Sequence, residues 1–579
     1  MTKRLFYILT LSLMMIILCS CELGNVSSNY DESKIKVTLV HNNGTKNSIL
    51  YLDKGMIITT LQEPMKEDHL FLGWYHEDEK WNIQEAPVIE DMTLSAKFTK
   101  IYKDDLFSYV LNEDNKSYCI IEIKSNSEEI TIPDYYNKRP ITKIKLIKGT
   151  SCKTIRLSDN ISEIDQTSYK YLIGKLIINS TNPYFEIIDS CLYSKDKTIF
   201  YSYMNTSDEN VEFTVPNTVK IISSCAFSMT NHKIINIILP DSLTTINSFA
   251  FTDAYIRTIN IPKNLEFMDG SAFYDTDITE MNVDENNEHY KSIDGIIYSK
   301  DETVLIKLPY SKDYVDFSIP LTVKEIGPYA LSDMLINQLH ISKNVEKIHY
   351  TAFLNTPVKS ITVDKENPFF DSTYNDLYTK DQKTLLKMSR NHAKEENKNK
   401  ILEGVTIIAN YALDLGVTET LQLPESLNII GDSNYVNRKY VGYTPYDLAI
   451  TLPKNIMIIG DFAFYSIRYI PYIKIQDGLA NMPDELISIG DFAFANIHHF
   501  QHGAFGNTSV IFNEKSRLTL LGSNAFANHA ILYQVVLPKS LKYIPDYLFS
   551  CCVDLENVTI PSEVIYISPS AFNETKYKQ

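Results

Sequence analysis

Basic residues are outnumbered in this 579-residue chain, with 55 Lys and Arg against 72 Asp and Glu and a formal net charge of −17. Affinity for a phosphate backbone comes mainly from cations that displace counterions, so no nucleic-acid partner is expected. Cysteines are few and scattered. Setting aside Cys19 and Cys21 leaves Cys119, Cys152, Cys191, Cys225, Cys551 and Cys552, with no C-x-x-C pair and no metal-ligand spacing. That argues against a zinc site or a disulfide framework and leaves the pairing of these six open. H-E-x-x-H, P-loop, G-x-S-x-G and dinucleotide glycine patterns are all missing. The dense histidine group His498, His499 and His502 has no carboxylate or cysteine at a matching spacing, so no metal is expected there. Gly431-Asp432-Ser433 imitates an esterase nucleophile block, but the same slot reads Gly-Asp-Phe-Ala-Phe at 460–464 and again at 490–494. The repeat accounts for it, and neither an enzyme nor a cofactor is expected.

No apolar run reaches the ~20 residues that a membrane-spanning helix needs. The longest N-terminal stretch, Leu5 to Leu18, follows Lys3 and Arg4 and reads as an export signal. Leu18-Cys19-Ser20-Cys21 resembles the bacterial lipobox, with Leu at −3 and Ser at −1 of Cys21. The resemblance implies a lipoprotein signal peptide over 1–20, lipid attachment at Cys21 and a polar tether over 21–34 that holds the chain to a membrane outside the cytoplasm. Which leaflet or envelope layer carries the anchor stays open.

Residues 35–100 read as short strands with a turn at Asn42-Asn43-Gly44, and both tryptophans, Trp74 and Trp81, fall here. Phe71, Gly73, Trp74 and Tyr75, with a closing Thr93-Leu94-x-Ala96-Lys97-Phe98, resemble the InlB B-type (Listeria–Bacteroides) repeat. The family usually has paired glycines and a closing Trp where this chain has only Gly44 and Phe98. The resemblance implies a small β-grasp-like spacer or binding module. Phe71, Trp74 and Tyr75 are either an exposed aromatic platform or the core that so small a domain needs.

From about Phe107 onward one unit recurs. A proline is followed eleven positions later by Phe or Leu, as in Pro240 and Phe251, Pro262 and Phe273, Pro453 and Phe464, Pro483 and Phe494, Pro538 and Phe549. Alternation before the proline, as in Thr258-Ile259-Asn260-Ile261, predicts a strand with one buried face. The proline ends its pairing, Gly or Asp seven positions on suits a turn or a short helix start, and Ala-Phe pairs a small residue with a space-filling ring. Intervals of 22 (240 to 262) and 23 (538 to 561) fall in the leucine-rich repeat range. The pattern L-x-x-I-x-I-P-x-x-L-x-x-I-G-x-x-A-F resembles the BspA-like leucine-rich repeats. An N-P-x-F element or close variant with a later L-Y-S-K-D recurs at Asn182 to Asp196, Asn287 to Asp301 and Asn367 to Asp381 and predicts β-hairpin insertions. The expected fold is therefore a repeat solenoid over 101–579, mainly β with short helical or 3-10 turns, capped by 101–147 and preceded by the β-grasp-like module. Phe227, Phe251, Phe273, Phe353, Phe464, Phe494, Phe526, Phe549 and Phe572 should form its spine.

Two surfaces are candidates for contact. Strand positions two and four before the proline, among them Thr258, Asn260, Gln338, His340, Thr420, Gln422 and Thr451, would line a continuous, mostly polar and uncharged sheet face. Threonine also simply suits an exposed strand, so that reading stays open. From Pro424 the intervals lengthen to 29 (to Pro453), 30 (to Pro483) and 32 (to Lys515 in the proline slot), and the added loops carry Tyr435, Tyr440, Tyr443, Tyr446, Tyr469, Tyr472, His498, His499 and His502. These either form a recognition patch or merely cover extra coil. The BspA-like resemblance implies adhesion to, or recognition of, protein or glycan on host or neighbouring cells. A cell-envelope spacer without a specific ligand is the alternative.

Overall fold

The computed structural model describes residues 34–172, 176–204, 211–228, 234–252, 254, 256–310, 314–392, 400–413, 422–434, 452–465, 482–496, 508–529 and 532–578. Among them the chain is almost entirely β. The helical elements described are one turn, Gln166–Ser168 running into Tyr169–Leu172, and a 3-10 position at His392, and elsewhere the segment after the short strand is a chain of hydrogen-bonded turns.

Coils whose residues are described throughout carry two parallel strands. A longer one, such as Thr258–Ile261 or Ile336–Ile341, precedes the proline slot. A two-residue one, such as Phe267–Met268 or Ile458–Ile459, follows it. The longer strands pair parallel from coil to coil, Thr258 opposite Glu280 and Gln338 opposite Ser360. The short strands pair the same way, Ile429 opposite Ile458. The proline carbonyl accepts the amide three residues on in Leu243, Leu265 and Leu541, which folds that leucine into the core between the two sheets. Proline thus ends one strand by lacking a donor and closes the following turn with its acceptor.

The Ala-Phe pair is explained by the coil-to-coil hydrogen bonds. The amides of Phe227, Phe251, Phe464, Phe494 and Phe549 donate to the alanine carbonyls of the next coil, Ala250, Ala272, Ala493, Ala525 and Ala571, at 2.8–2.9 Å. Such close approach needs the smallest side chain beside it. The rings then stack: Phe227 on Phe251 at 5.3 Å and 9°, Phe251 on Phe273 at 5.1 Å and 4°, Phe464 on Phe494 at 5.2 Å and 14°, Phe494 on Phe526 at 5.3 Å and 6°. Phe200, a hairpin residue outside the repeat pattern, extends the spine at 4.8 Å from Phe227.

Glycine at the turn has a different reason from the one the sequence suggests. Gly431, Gly460, Gly490 and Gly522 do not have positive φ. A Cβ on Gly460 would lie 2.4 Å from Asp432 Oδ1 and 2.8 Å from the backbone of the preceding coil, so space rather than backbone freedom demands glycine.

The insertions are three-stranded antiparallel meanders, Phe185–Ile188 with Cys191–Ser194 and Ile199–Tyr203, and two copies of the same plan. The third strand of each rejoins the short-strand sheet in parallel. Asn287 and Asn367 are the buried rivets. The Asn287 Nδ2 donates to the carbonyls of Pro262 and Leu265 in the previous coil, and its Oδ1 accepts the amides of His289 and Tyr290.

The N-terminal cap is a sheet ordered Tyr135–Tyr136, Arg139–Ile144, Tyr118–Ile123, Phe107–Leu111, Tyr102–Lys103. Before it, residues 35–100 form a five-stranded sheet in the order Ser48–Leu52, Ile35–Val40, Met92–Lys100, His69–His76, Glu79–Lys80. Trp74 is its core residue, 2% exposed and edge-on to both Phe71 and His41 at 5.8 Å. Lys97 lies over the Tyr75 ring at 4.3 Å. These aromatics are core and cover, not a free platform.

Candidate interaction surfaces

The two sheets of the solenoid present two faces with opposite fates. On the long-strand sheet the outward residues form in-register columns: Glu212, Asn236, Thr258 and Glu280 in one, Asp316, Gln338 and Ser360 in another, Ser318, His340 and Thr362 in a third. Asn260, Gln338 and Gln422 are exposed, and Thr258 and His340 are half-buried by their column neighbours. Side chains link along the columns, Asn282 Nδ2 donating to Asn260 Oδ1 at 3.2 Å and His340 Nδ1 meeting Thr362 Oγ1 at 3.0 Å. Glu212, Glu280 and Asp316 make this face more acidic than the repeat pattern alone indicates. Thr420 and Thr451 lie outside the described residues, as do Tyr435, Tyr440, Tyr443, Tyr446, Tyr469, Tyr472, His498, His499, His502 and Cys21.

The short-strand sheet is covered instead. One hydrophobic cluster runs from the interior of the N-terminal module, through Val37, Leu39, Trp74 and Leu94, to Ile407, Ile429, Met457, Ile458, Ile487 and Leu520 of the solenoid. Short-strand residues alternate in and out: Ile408, Ile430, Ile459, Ile489 and Leu521 belong to the solenoid core, and their predecessors Ile407, Ile429, Ile458, Ser488 and Leu520 meet the module. In coils outside that strip the same outward position holds Thr245, Phe267, Glu325 and Lys347, all partly or fully exposed. Five successive buried positions thus mark the docking strip in the sequence itself, a signal legible only once the outward register is known.

Polar contacts fix the module on that strip. Ser48 Oγ lies 2.8 Å from Thr519 Oγ1, the Gln62 amide donates to Ser488 Oγ at 3.1 Å, and Gln62 Nε2 donates to Asp491 Oδ1 at 3.1 Å. Asn410 Nδ2 donates to the Thr59 carbonyl, Arg517 to the Ile49 carbonyl, and Tyr543 Oη to the Asn43 carbonyl. At the other edge Tyr350 Oη donates to Gln84 Oε1 at 2.6 Å.

Two buried polar pairs sit inside the stack. His392 Nδ1 and Asp376 Oδ2 are 2.6 Å apart with both side chains fully buried. Lys307, also buried, donates to Ser332 Oγ at 2.7 Å and to the carbonyls of Tyr329 and Ser332, and burial lowers its pKa to about 8. Neither opens to solvent, so both hold coils together. Cys119, Cys152, Cys191, Cys551 and Cys552 are free thiols. Burial pushes Cys119, Cys191 and Cys552 up to about 12, which makes them poor nucleophiles. Among the described residues no group of three or more His, Cys, Asp or Glu is placed to hold a metal, and no helix is long and apolar enough to cross a membrane.

Parallel two-strand coils with a stacked aromatic spine define a leucine-rich repeat solenoid. The chain belongs to the BspA type leucine rich repeat family, which matches over 197–294, 309–385, 391–477 and 480–579 in six copies. Residues 36–97 match the Listeria-Bacteroides repeat domain. Both families typify extracellular or cell-surface proteins and are generally non-enzymatic, and leucine-rich repeat proteins commonly bind proteins. Among solved structures, a leucine-rich repeat protein from Eubacterium ventriosum is 17% identical, covering 82% of this chain and 94% of that one with a TM-score of 0.34. A leucine rich cell surface protein from Faecalibacterium prausnitzii is 16% identical over 81% and 95%, TM-score 0.25. The pneumococcal vaccine antigen PcpA is 13% identical over 83% and 99%, TM-score 0.29. No curated protein matches.

Proposed function

We propose that this chain is a lipid-anchored bacterial surface protein that adheres to, or recognises, protein or glycan on host or neighbouring cells, with no catalytic role. The observation that carries this reading is the contrast between the two sheets. From Ile407 to Leu520 the short-strand face is occupied by the chain's own module, while the described long-strand face stays open with its in-register Asn, Gln, Thr, His and acidic columns. Thr258, Asn260, Gln338, His340 and Gln422, with Thr420 and Thr451, are the proposed sheet contacts. Tyr435, Tyr440, Tyr443, Tyr446, Tyr469, Tyr472, His498, His499 and His502 are the proposed loop contacts, and Cys21 the proposed anchor. A spacer gains reach by keeping its domains end to end; a module folded back on the solenoid gives reach away, which favours recognition over spacing.

The test is saturable retention of the soluble chain, residues 22–579, on host matrix or partner cells, compared with Asn260→Lys and Gln338→Lys together and with the three long loops shortened. Saturable binding that falls tenfold or more in either set supports adhesion. Retention that never saturates, or that both sets leave unchanged, overturns it. Incorporation of a lipid precursor that disappears in Cys21→Ala tests the anchor.

A further inference from the structure

A row of carboxylates lies where the module crosses the solenoid. Asn410 Oδ1 accepts the amide of Asp432, Asp432 Oδ1 that of Asp461, Asp461 Oδ1 that of Asp491, and Asp491 Oδ1 that of Ser523, at 2.7–2.9 Å. One side chain per coil thus caps the next coil's turn. Segment 59–63 of the module runs along this row. Its Thr59 carbonyl meets Asn410, the Thr60 hydroxyl meets Asp432, and Gln62 meets Asp491. Glu63 adds a fourth acid from the module side, close enough for its charge to act on Asp461 and for that of Asp491 to act on it.

We propose that the contact between the N-terminal module and the solenoid is a pH-operated clasp, held shut when the Asp432, Asp461, Asp491 and Glu63 carboxyls carry protons and released as they ionise. The charges acting on Asp461 are Asp432, Asp491 and Glu63, all acidic. Lys80 acts on Glu63, and Asp432 in turn acts on Tyr350 at the module's edge. At that edge His349 faces Glu85 at 3.5 Å, and at the far one Arg517 pairs with Glu485. No cation contacts the row itself among the described residues.

Burial raises Asp432 to about 6, and burial with the neighbouring acids raises Asp461 to about 7; Asp491 and Glu63 shift the same way. The covered state therefore binds more protons than the released one. Its advantage is complete below the ordinary carboxyl value of 3.8 and fades as pH climbs through about 6 to about 7. Asp432 alone weakens docking by at most about tenfold between pH 5 and pH 8, the limit reached if release returned it fully from about 6 to the ordinary 3.8, and Asp461 adds to that.

Met457 reports the clasp, being 7% exposed and part of the covered strip, while Met268, 6% exposed in a coil away from the module, is an internal control. In the full chain, oxidation of Met457 by dilute peroxide is expected to run at least ten times faster at pH 8 than at pH 5 once normalised to Met268. Asp461→Asn preserves the hydrogen bond, as Asn410 shows two rungs earlier, and should weaken that dependence by removing the Asp461 share while those of Asp432, Asp491 and Glu63 remain. Glu63→Gln, on the module side, should do so in part. Equal Met457 rates at both pH values in the wild type overturn the proposal, as does full pH dependence in folded Asp461→Asn and Glu63→Gln chains.

Discussion

Phe251 is the most informative ring to remove. It is fully buried and sandwiched between Phe227 and Phe273 at 5.3 and 5.1 Å, nearly parallel to both. Burying a ring takes about 150–250 Å² out of water, worth roughly 4–6 kcal/mol gross at ~25 cal/mol/Å². A phenylalanine-to-alanine cavity typically costs ~3–5 kcal/mol, and two stacked neighbours place Phe251→Ala at the upper end. Phe572 is the matched control: it is only partly buried, with Phe549 at 5.6 Å on one side and Tyr577 at 5.0 Å on the other. Phe572→Ala should cost about half as much. Coils exchange stability mainly with their neighbours, so the assay is hydrogen exchange resolved along the chain beside urea unfolding. Protection should fall first in the coils holding Ile222, Ile246 and Met268. A Phe251→Ala chain no less stable than Phe572→Ala, or protection lost evenly along the chain, would refute the shared-spine argument.

Replacing Asn287 with Ala strands the amides of His289 and Tyr290 and the carbonyl of Leu265, while the Pro262 carbonyl keeps the Leu265 amide, and should cost ~2–3 kcal/mol by urea midpoint, with the 290–307 meander losing protection first. Gly460→Ala forces a methyl to within 2.4–2.8 Å of the preceding coil and should destabilise by ~1–3 kcal/mol in the same assay, whereas Gly404→Ala, with nothing within 4 Å, is strained only by its φ of +100°. Lys307 has its pKa lowered to about 8, so the unfolded chain binds the extra proton and stability rises with pH from about 8 to 10.5. Lys307→Met should remove that rise and, at pH 7, offset up to roughly 3 kcal/mol of desolvation; an unchanged pH–stability curve would contradict the assignment.

Much of the architecture was legible because the repeat writes each mechanical role many times. Strand, proline stop, turn and ring recur at fixed spacing, so the solenoid, the hairpin insertions and most of the spine follow from counting, while the third strand that makes each insertion a meander does not. Phe200 escaped because it reaches the spine from an insertion, where the spacing is broken. The glycine row was read as turn chemistry, while its cause, contact with the coil before, is visible only in three dimensions. The module's fold was legible from its aromatics, but its place was not: covalent order puts it ahead of the cap, and its docking strip lies more than 300 residues away. The clue was present in Ile407, Ile429, Ile458 and Leu520, where Thr245, Glu325 and Lys347 stand elsewhere, yet an aliphatic pair in a short strand reads as ordinary core. The open face was legible as a set of positions, with its acids Glu212, Glu280 and Asp316 added once register was known.

The most direct measurement joins Ser48 to Thr519, whose hydroxyl oxygens are 2.8 Å apart across 471 residues of sequence. In a Ser48→Cys, Thr519→Cys chain, mild oxidation followed by mass spectrometry should yield one intramolecular disulfide between these two peptides, formed at low protein concentration. Failure of that bond to form, or its appearance only between chains, would contradict a module seated on the short-strand sheet and an open face left for recognition on the other.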